Sequence, residues 1–237
     1  KYGRNLIAYA VYLIIELRLP QIQVDAMLNR LFDLDLPSAS GSHRFKMQAA
    51  NRYAGSCQVI LQRLCSGHLL HVDETKISIR GKNGYVWVFT NMEEVVYLYS
   101  ETREGELIQT LLKNFKGILV SDFYTAYDAI QCHQQKCLIH LIRDLNDDVL
   151  KHPYDEELRW VASTFAALLR PIVETIDQHG LKCRFLKRHQ VDVDRFYRKM
   201  GEAELKSEMA GKTKERLVKY RNKLFVFLEF DGIPWNN

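Results

Sequence analysis

No stretch of this chain is apolar enough for long enough to cross a membrane. The best candidate, Leu6 to Leu17, falls short of the roughly 20 residues a helical span needs and is interrupted by Glu16. No positively charged start leads into an apolar stretch and a small-residue cleavage site, so export is not signalled either. The five cysteines (57, 65, 132, 137 and 183) are odd in number and irregular in spacing. That argues against a disulfide framework and points to a reducing cytosol. Internal repeats and low-complexity linkers are missing as well. The first residue is Lys1 rather than Met, and the expectation is that residues upstream of it have been removed.

Strong net charge is also missing, at +4 over 237 residues, but its distribution is lopsided. Between Lys182 and Lys223 fourteen basic residues stand against six acidic ones, an excess of eight that leaves the remainder at −4. A basic segment joined to an acid-bearing remainder suggests a phosphate-facing surface beside an acidic core. With 47% hydrophobic and 26% charged residues, the chain is large enough for a well-buried core and one or two appendages.

Helical periodicity dominates the first 65 residues. Leu6, Tyr9, Leu13 and Leu17 form one stripe, and Val24, Met27, Leu28 and Leu31 a second, with Pro20 between them. After a break at 33–37, Ser38 or Ser40 is a plausible N-cap. The long helix beyond it carries Met47, Ala50, Ala54, Cys57, Leu61 and Leu64 on one face. Helix, short turn and capped helix resemble a helix-turn-helix unit, with Ser42, His43, Arg44 and Lys46 placed to touch DNA. The alternative is a plain helical hairpin, since the turn lacks the glycine such motifs often carry.

The period changes at Leu69. An apolar run to Val72 passes into alternation as far as Ile79. A turn over 81–84 follows, then strands over Tyr85–Thr90 and Val95–Ser100, a three-strand meander. A short helix over Glu106–Leu112 precedes Ile118-Leu119-Val120, a run of buried-strand type that ends at Ser121-Asp122. A helix over Tyr124–Ile130, a strand over Lys136–Leu138 and a helix over Ile139–Leu150 complete the order β-β-β-α-β-α-β-α. The fold class expected is α/β, a mixed sheet flanked by helices. Helices resume after Pro153, with Leu158, Val161, Phe165, Leu168, Ile172 and Ile176 on one face and Pro171 as a kink. A last stripe of Leu217, Tyr220, Leu224 and Phe227 is closed by a turn over 231–234.

Two acids stand out by position. Asp73 sits within the first strand and Asp122 at the C-terminal end of the fourth, and in a sheet of this order those strands are neighbours. Two carboxylates held close repel unless a divalent cation sits between them. Hard oxygen ligands with open positions suit Mg²⁺ or Mn²⁺, and a two-metal site supports in-line attack on phosphorus. The plainer reading of Asp122 is an N-cap for the helix that follows it.

The pieces 71–75 (HVDET), 84–89 (GYVWVF), 115–122 (FKGILVSD), 124–127 (YTAY) and 135–145 (QKCLIHLIRDL) stand in a fixed order, followed by the tail 230–237. In that order and approximate spacing they resemble the DDE transposases of bacterial insertion sequences, particularly the insertion-sequence-66-like group. The likeness is best from about Leu69 to Leu150. It implies a ribonuclease-H-like core over 66–150, a helical N-terminal region over 1–65, a helical basic insertion over 151–229 and the start of the final catalytic segment at 230–237. It further implies metal-dependent cleavage and strand transfer of an insertion sequence, with Asp73 and Asp122 as catalytic metal ligands and Mg²⁺ or Mn²⁺, two ions in the complete site. The partners implied are DNA, as transposon ends and target, and further copies of the protein on that DNA. The location implied is cytoplasmic and nucleoid-associated. The family's third carboxylate is a glutamate a few residues after an Asn-Asn pair. This sequence stops at Asn236-Asn237, so the glutamate has no counterpart, and a fragment or remnant with an incomplete site is expected. Glu229 precedes the pair and is not promoted in its place.

Cys137-x-x-His140 supplies at most two zinc ligands with no second pair, so a local structural or DNA-adjacent role is preferred. Arg143, one turn beyond His140, is a further phosphate candidate or an ordinary exposed arginine. Trp87 and the tyrosines at 85, 97 and 99 read as core or sheet-face residues. In the basic segment Lys187 and Arg188 are the candidate DNA contacts, with Phe185, Phe196 and Tyr197 interleaved as in nucleic-acid-binding surfaces. Two competing functions remain: a nuclease of the same fold using Glu229 or another acid of the chain, and a non-enzymatic DNA-binding protein acting through residues 1–65 and the basic insertion.

Overall fold

The structure is a computed structural model that describes residues 2–38 and 40–237. The chain divides into two compact units, 1–60 and 61–237. Among the described residues no helix is long and apolar enough to cross a membrane.

The first unit holds α1 (Arg4–Ile15), α2 (Gln21–Phe32) and most of α3 (Gly41–Ser66). Its core is Ala10, Leu13, Val24, Leu28, Leu36 and Phe45. Helix α2 ends where Asp33 adopts a left-handed φ of 50°. The first turn of α3 is not closed by a local serine, as the sequence suggested. The Ser42 amide donates to Asp25 Oδ1 at 2.7 Å, and Ser40 Oγ turns to the Pro37 carbonyl at 3.5 Å. A buried carboxylate from the preceding helix caps better here because it also ties two helices together. Ser42 is consequently fully buried and cannot touch DNA. On α3 the expected apolar stripe is broken: Met47, Ala50, Ala54 and Cys57 are exposed, and only Leu64 is fully buried.

The second unit is built on one five-stranded mixed sheet in the order β3-β2-β1-β4-β5. Its strands are β1 (Leu69–Ile79), β2 (Lys82–Thr90), β3 (Val95–Ser100), β4 (Ile118–Ser121) and β5 (His133–Lys136). The first three strands form the antiparallel meander, and β1, β4 and β5 run parallel. Helix α4 (Glu106–Leu111) leads into β4. Gly117 stands at its entry because a Cβ there would lie 2.6 Å from the Gly67 carbonyl and 2.7 Å from that of His68. Only a glycine lets these two backbones approach so closely.

Expected elements differ in three places, the first being that β2 begins at Lys82, inside the expected turn over 81–84. The segment after Asp122 is a short 3-10 turn (Thr125–Ala129) rather than an α-helix. The last strand is His133–Lys136, three residues earlier than its apolar flank suggested. Its Gln134, Gln135 and Lys136 are buried, and each finds partners across the fold. Gln134 Nε2 donates to Tyr127 O and Ile130 O, and Gln135 bridges Leu224 O and the Phe227 amide. Satisfied polar groups take positions that hydrophobic periodicity assigns to apolar ones.

Helices α5 (Leu138–Lys151) and α6 (Glu156–His179) pack on the β1–β4 side, with α7 (Cys183–Leu186), α8 (Gln190–Glu202), α9 (Glu208–Lys219) and α10 (Arg221–Leu224) beyond. Helix α6 starts on Asp155, which accepts the Leu158 amide at 2.9 Å, and runs through Pro171. Its stripe from Leu158 to Ile172 is buried as periodicity indicated. Helix α9 starts on Ser207, whose amide is held by Glu157 Oε2 at 2.7 Å, so the N-termini of α6 and α9 share one polar joint.

Candidate active site

The parallel register pairs Leu69 with Ile118, Leu70 with Leu119 and His71 with Val120. The pairing ends there: Asp73 lies two residues beyond it on β1 and Asp122 just past the end of β4, near enough for the Asp122 charge to act on Asp73. The alternation of side chains places Asp73 on the same face of β1 as His71, and Glu74 on the opposite face with Val72. Each aspartate has one oxygen engaged by nearby backbone. Asp73 Oδ1 accepts the Glu74 amide, and Asp122 Oδ1 accepts the Tyr124 amide, both at 2.9 Å. The second oxygen of each has no protein partner among the described residues, which leaves hard donors free on both. Burial raises the Asp73 carboxyl above the usual range and the Asp122 charge adds to it, while the Glu74 amide, His140 and Arg103 oppose them. Burial is the main cause of that rise, and a divalent cation would relieve the smaller part that comes from the Asp122 charge.

Sequence reasoning missed a ring of residues behind the pair. Glu74, on the core side of β1, has a side chain only 2% exposed. It accepts Tyr127 Oη at 2.6 Å and Arg103 Nε at 2.9 Å, and it stands opposite the fully buried Trp87. Burial raises the Glu74 carboxyl, against the Tyr127 and Arg103 bonds. The signal was available: an acid at a strand position that alternation assigns to the core requires a partner.

Lys136, at the end of β5, is also fully buried. Its ammonium donates to Asp122 O at 2.9 Å and Ser121 Oγ at 3.3 Å, and lies 3.6 Å from Asp128. Burial pushes its pKa down to about 8, against the pull of Asp128. Asp128 also accepts Lys223 Nζ at 2.7 Å. Burial works upward on the Asp128 carboxyl, but the Lys223 bond and the Lys136 charge outweigh it and hold the group below the ordinary range. A carboxyl lowered in the folded state contributes stability that is present at neutral pH and lost as pH falls through its folded value. Asp128→Asn is therefore expected to cost about 1.5 kcal/mol at pH 7. In urea titrations the difference from wild type should shrink to nothing in acid; a difference independent of pH would contradict the assignment.

His140, in the first turn of α5, lies near enough to bear on Asp73, and its Nδ1 is buried with no partner among the described residues. Neighbouring Cys137 is buried and its Sγ accepts the Asn237 amide at 3.2 Å. Asn237 also donates to Val72 O at 3.1 Å and meets His71 Nδ1 at 3.0 Å, so the tail clasps β1 next to Asp73. Among the described residues no group of three or more His, Cys, Asp and Glu side chains is placed to hold a metal. Glu229 is exposed at the end of a 3-10 turn.

The other expected contacts are scattered. Arg143 is exposed on α5, Lys187 and Arg188 are exposed before α8, and Arg188 donates to Thr175 Oγ1 at 3.0 Å. Arg44 and Lys46 lie on α3 in the first unit. Phe196 and Tyr197 are buried against α6 and Phe225 rather than offered for stacking, because α8 turns its aromatic face inward. Phe185 stacks on His179 with ring centres 4.1 Å apart. A basic surface does adjoin the acids, on α9. Lys212, Arg216 and Lys219 line an open cleft of about 460 Å³ with Glu215, Tyr220 and Phe123, the residue after Asp122.

No curated protein matches the chain. A family model does: the one described as Transposase IS66 family matches residues 1–237. With a match of that extent, the chain belongs to the IS66 family of transposases.

Proposed function

We propose that this chain is the core of a DDE-type DNA recombinase, in which Asp73 and Asp122 hold the divalent ions that cut and join DNA strands. What supports this reading is the parallel pairing of β1 with β4, whose last pair, His71 with Val120, stands two residues before Asp73 and Asp122, together with one free oxygen on each acid. Membership of a transposase family implies DNA as the partner. Magnesium or manganese, when bound, would activate the attacking oxygen and stabilise the leaving one. The protein's own groups do the remaining work. Asp73 and Asp122 present hard oxygen donors, Lys136 fixes the Asp122 loop from behind, and Glu74 anchors the wall beside it. The α9 cleft offers cations to a DNA backbone. The clasp of Asn237 on Val72 brings residues 236–237 alongside Asp73.

Manganese titration followed by isothermal calorimetry tests the reading. The wild-type chain should bind Mn²⁺, and Asp73→Asn and Asp122→Asn should each remove that binding without changing the melting temperature in metal-free buffer. Titration curves identical in all three proteins would defeat it in favour of a non-enzymatic DNA-binding protein. Magnesium-dependent plasmid nicking abolished by Glu229→Ala would instead support a nuclease centred on that acid.

A further inference from the structure

Two carboxylates that must receive a phosphodiester repel it, and cationic groups have to hold the incoming phosphate. Three cationic or protonatable side chains act on the aspartates: Lys136, His140 and Arg103. Lys136 is sealed from solvent, with a side chain 0% exposed, and can reach no substrate. Arg103 differs, because its side chain is 46% exposed and yet fixed on several sides. Its Nε and Nη2 donate to Glu74 Oε1, its guanidinium lies 4.2 Å from the centre of the Tyr124 ring, and its carbonyl accepts Tyr124 Oη at 2.6 Å. Tyr124 is the same residue whose amide binds Asp122. The loop between β3 and α4 is thereby latched to the segment that carries the second acid. Among the described residues Nη1 has no partner.

We propose that Arg103 is a phosphate anchor of the acid pair, its free guanidinium edge receiving a non-bridging oxygen of the DNA backbone. The inference rests on the function proposed above. A guanidinium offers donors in a rigid fork that matches phosphate, and one already immobilised loses little further freedom on binding. Glu74 would otherwise be an unexplained choice: a buried acid on the core side of β1, adjacent to a metal-binding acid, whose partners are one tyrosine hydroxyl and this arginine. Its service is to aim the guanidinium and leave one edge open.

The test is the affinity of the chain for a short mixed-sequence DNA duplex, measured by fluorescence anisotropy in EDTA across a range of salt concentrations. Arg103→Gln should weaken binding and reduce the slope of log affinity against log salt by about one phosphate contact, or roughly 0.9. Arg103→Lys should keep the slope, because the charge remains, but bind several-fold more weakly because the fork is lost. An Arg103→Gln protein with wild-type affinity and slope would overturn the proposal. Should that variant fail to fold, Arg103→Lys decides: weaker binding at unchanged slope supports the anchor, and wild-type affinity overturns it. Because EDTA removes divalent ions, the slope is independent of the manganese titration. A lost slope together with manganese binding that ignores Asp73 and Asp122 would overturn the catalytic reading and leave the DNA contact standing.

Discussion

Trp87→Ala should destabilise the second unit by about 3–5 kcal/mol, the range for emptying a fully buried aromatic site. Trp87 is 0% exposed on β2, opposite Glu74, and meets Tyr127 edge-on with ring centres 6.5 Å apart. It forms the floor on which the Glu74–Tyr127 bond rests, so the cavity would open directly behind the site. Its indole Nε1 is buried without a partner among the described residues. Trp87→Phe removes that unpaired donor together with part of the ring, and should cost less than half as much. Urea denaturation of the three proteins checks both values. A Trp87→Ala loss below about 1 kcal/mol, the ordinary effect of a substitution, would show that the ring is not load-sharing in this way.

The second large effect falls on Lys136. Lys136→Ala should cost about 3 kcal/mol, combining the cavity left by a buried four-carbon stem with loss of the bonds to Asp122 O and Ser121 Oγ. Lys136→Met keeps the stem and removes the charge whose burial drives its pKa down to about 8. Asp128 retains Lys223 in that variant, so the stability loss should be small. Metal binding separates the two roles of the side chain. Both variants should bind Mn²⁺ at least about ten-fold more weakly, the effect expected when a group that orients a ligand is removed. Wild-type manganese affinity in Lys136→Met would mean that the Asp122 loop holds its shape without the ammonium.

The parts of this architecture that were legible in the sequence are those in which one local pattern decides the outcome. Strand β3 matches its expected bounds because Val95 to Ser100 alternates cleanly between buried and exposed faces. Asp73 and Asp122 were legible as acids on two strands expected to be neighbours, and β1 and β4 do pair in parallel. Strand β5 was misplaced because its Gln134, Gln135 and Lys136 are stabilised by partners distant in sequence, which no local window contains. Glu74 was passed over for a different reason. Next to Asp73 it reads as one more acid, and only strand alternation shows that it faces the core, while nothing local identifies Arg103 as its partner. The aromatic residues of α8 misled in the opposite direction, since basic neighbours made Phe196 and Tyr197 look solvent-facing when both lie in the core. Charge along a helix gives its composition, but the buried face is set by the 3.6-residue period.

The clasp of the tail on β1 has a consequence for the order of assembly. His71 and Val72 are held by Asn237, 166 and 165 residues later, and Gln135 reads the backbone of Leu224 and Phe227, 89 and 92 residues later. During synthesis the strand bearing the first acid leaves the ribosome long before these fasteners exist. A nascent chain therefore carries Asp73 and Asp122 in an unfastened sheet until its last helices have docked. Closing loops of that length is slow, so these fasteners are expected to form late in folding, after the last helices have been made.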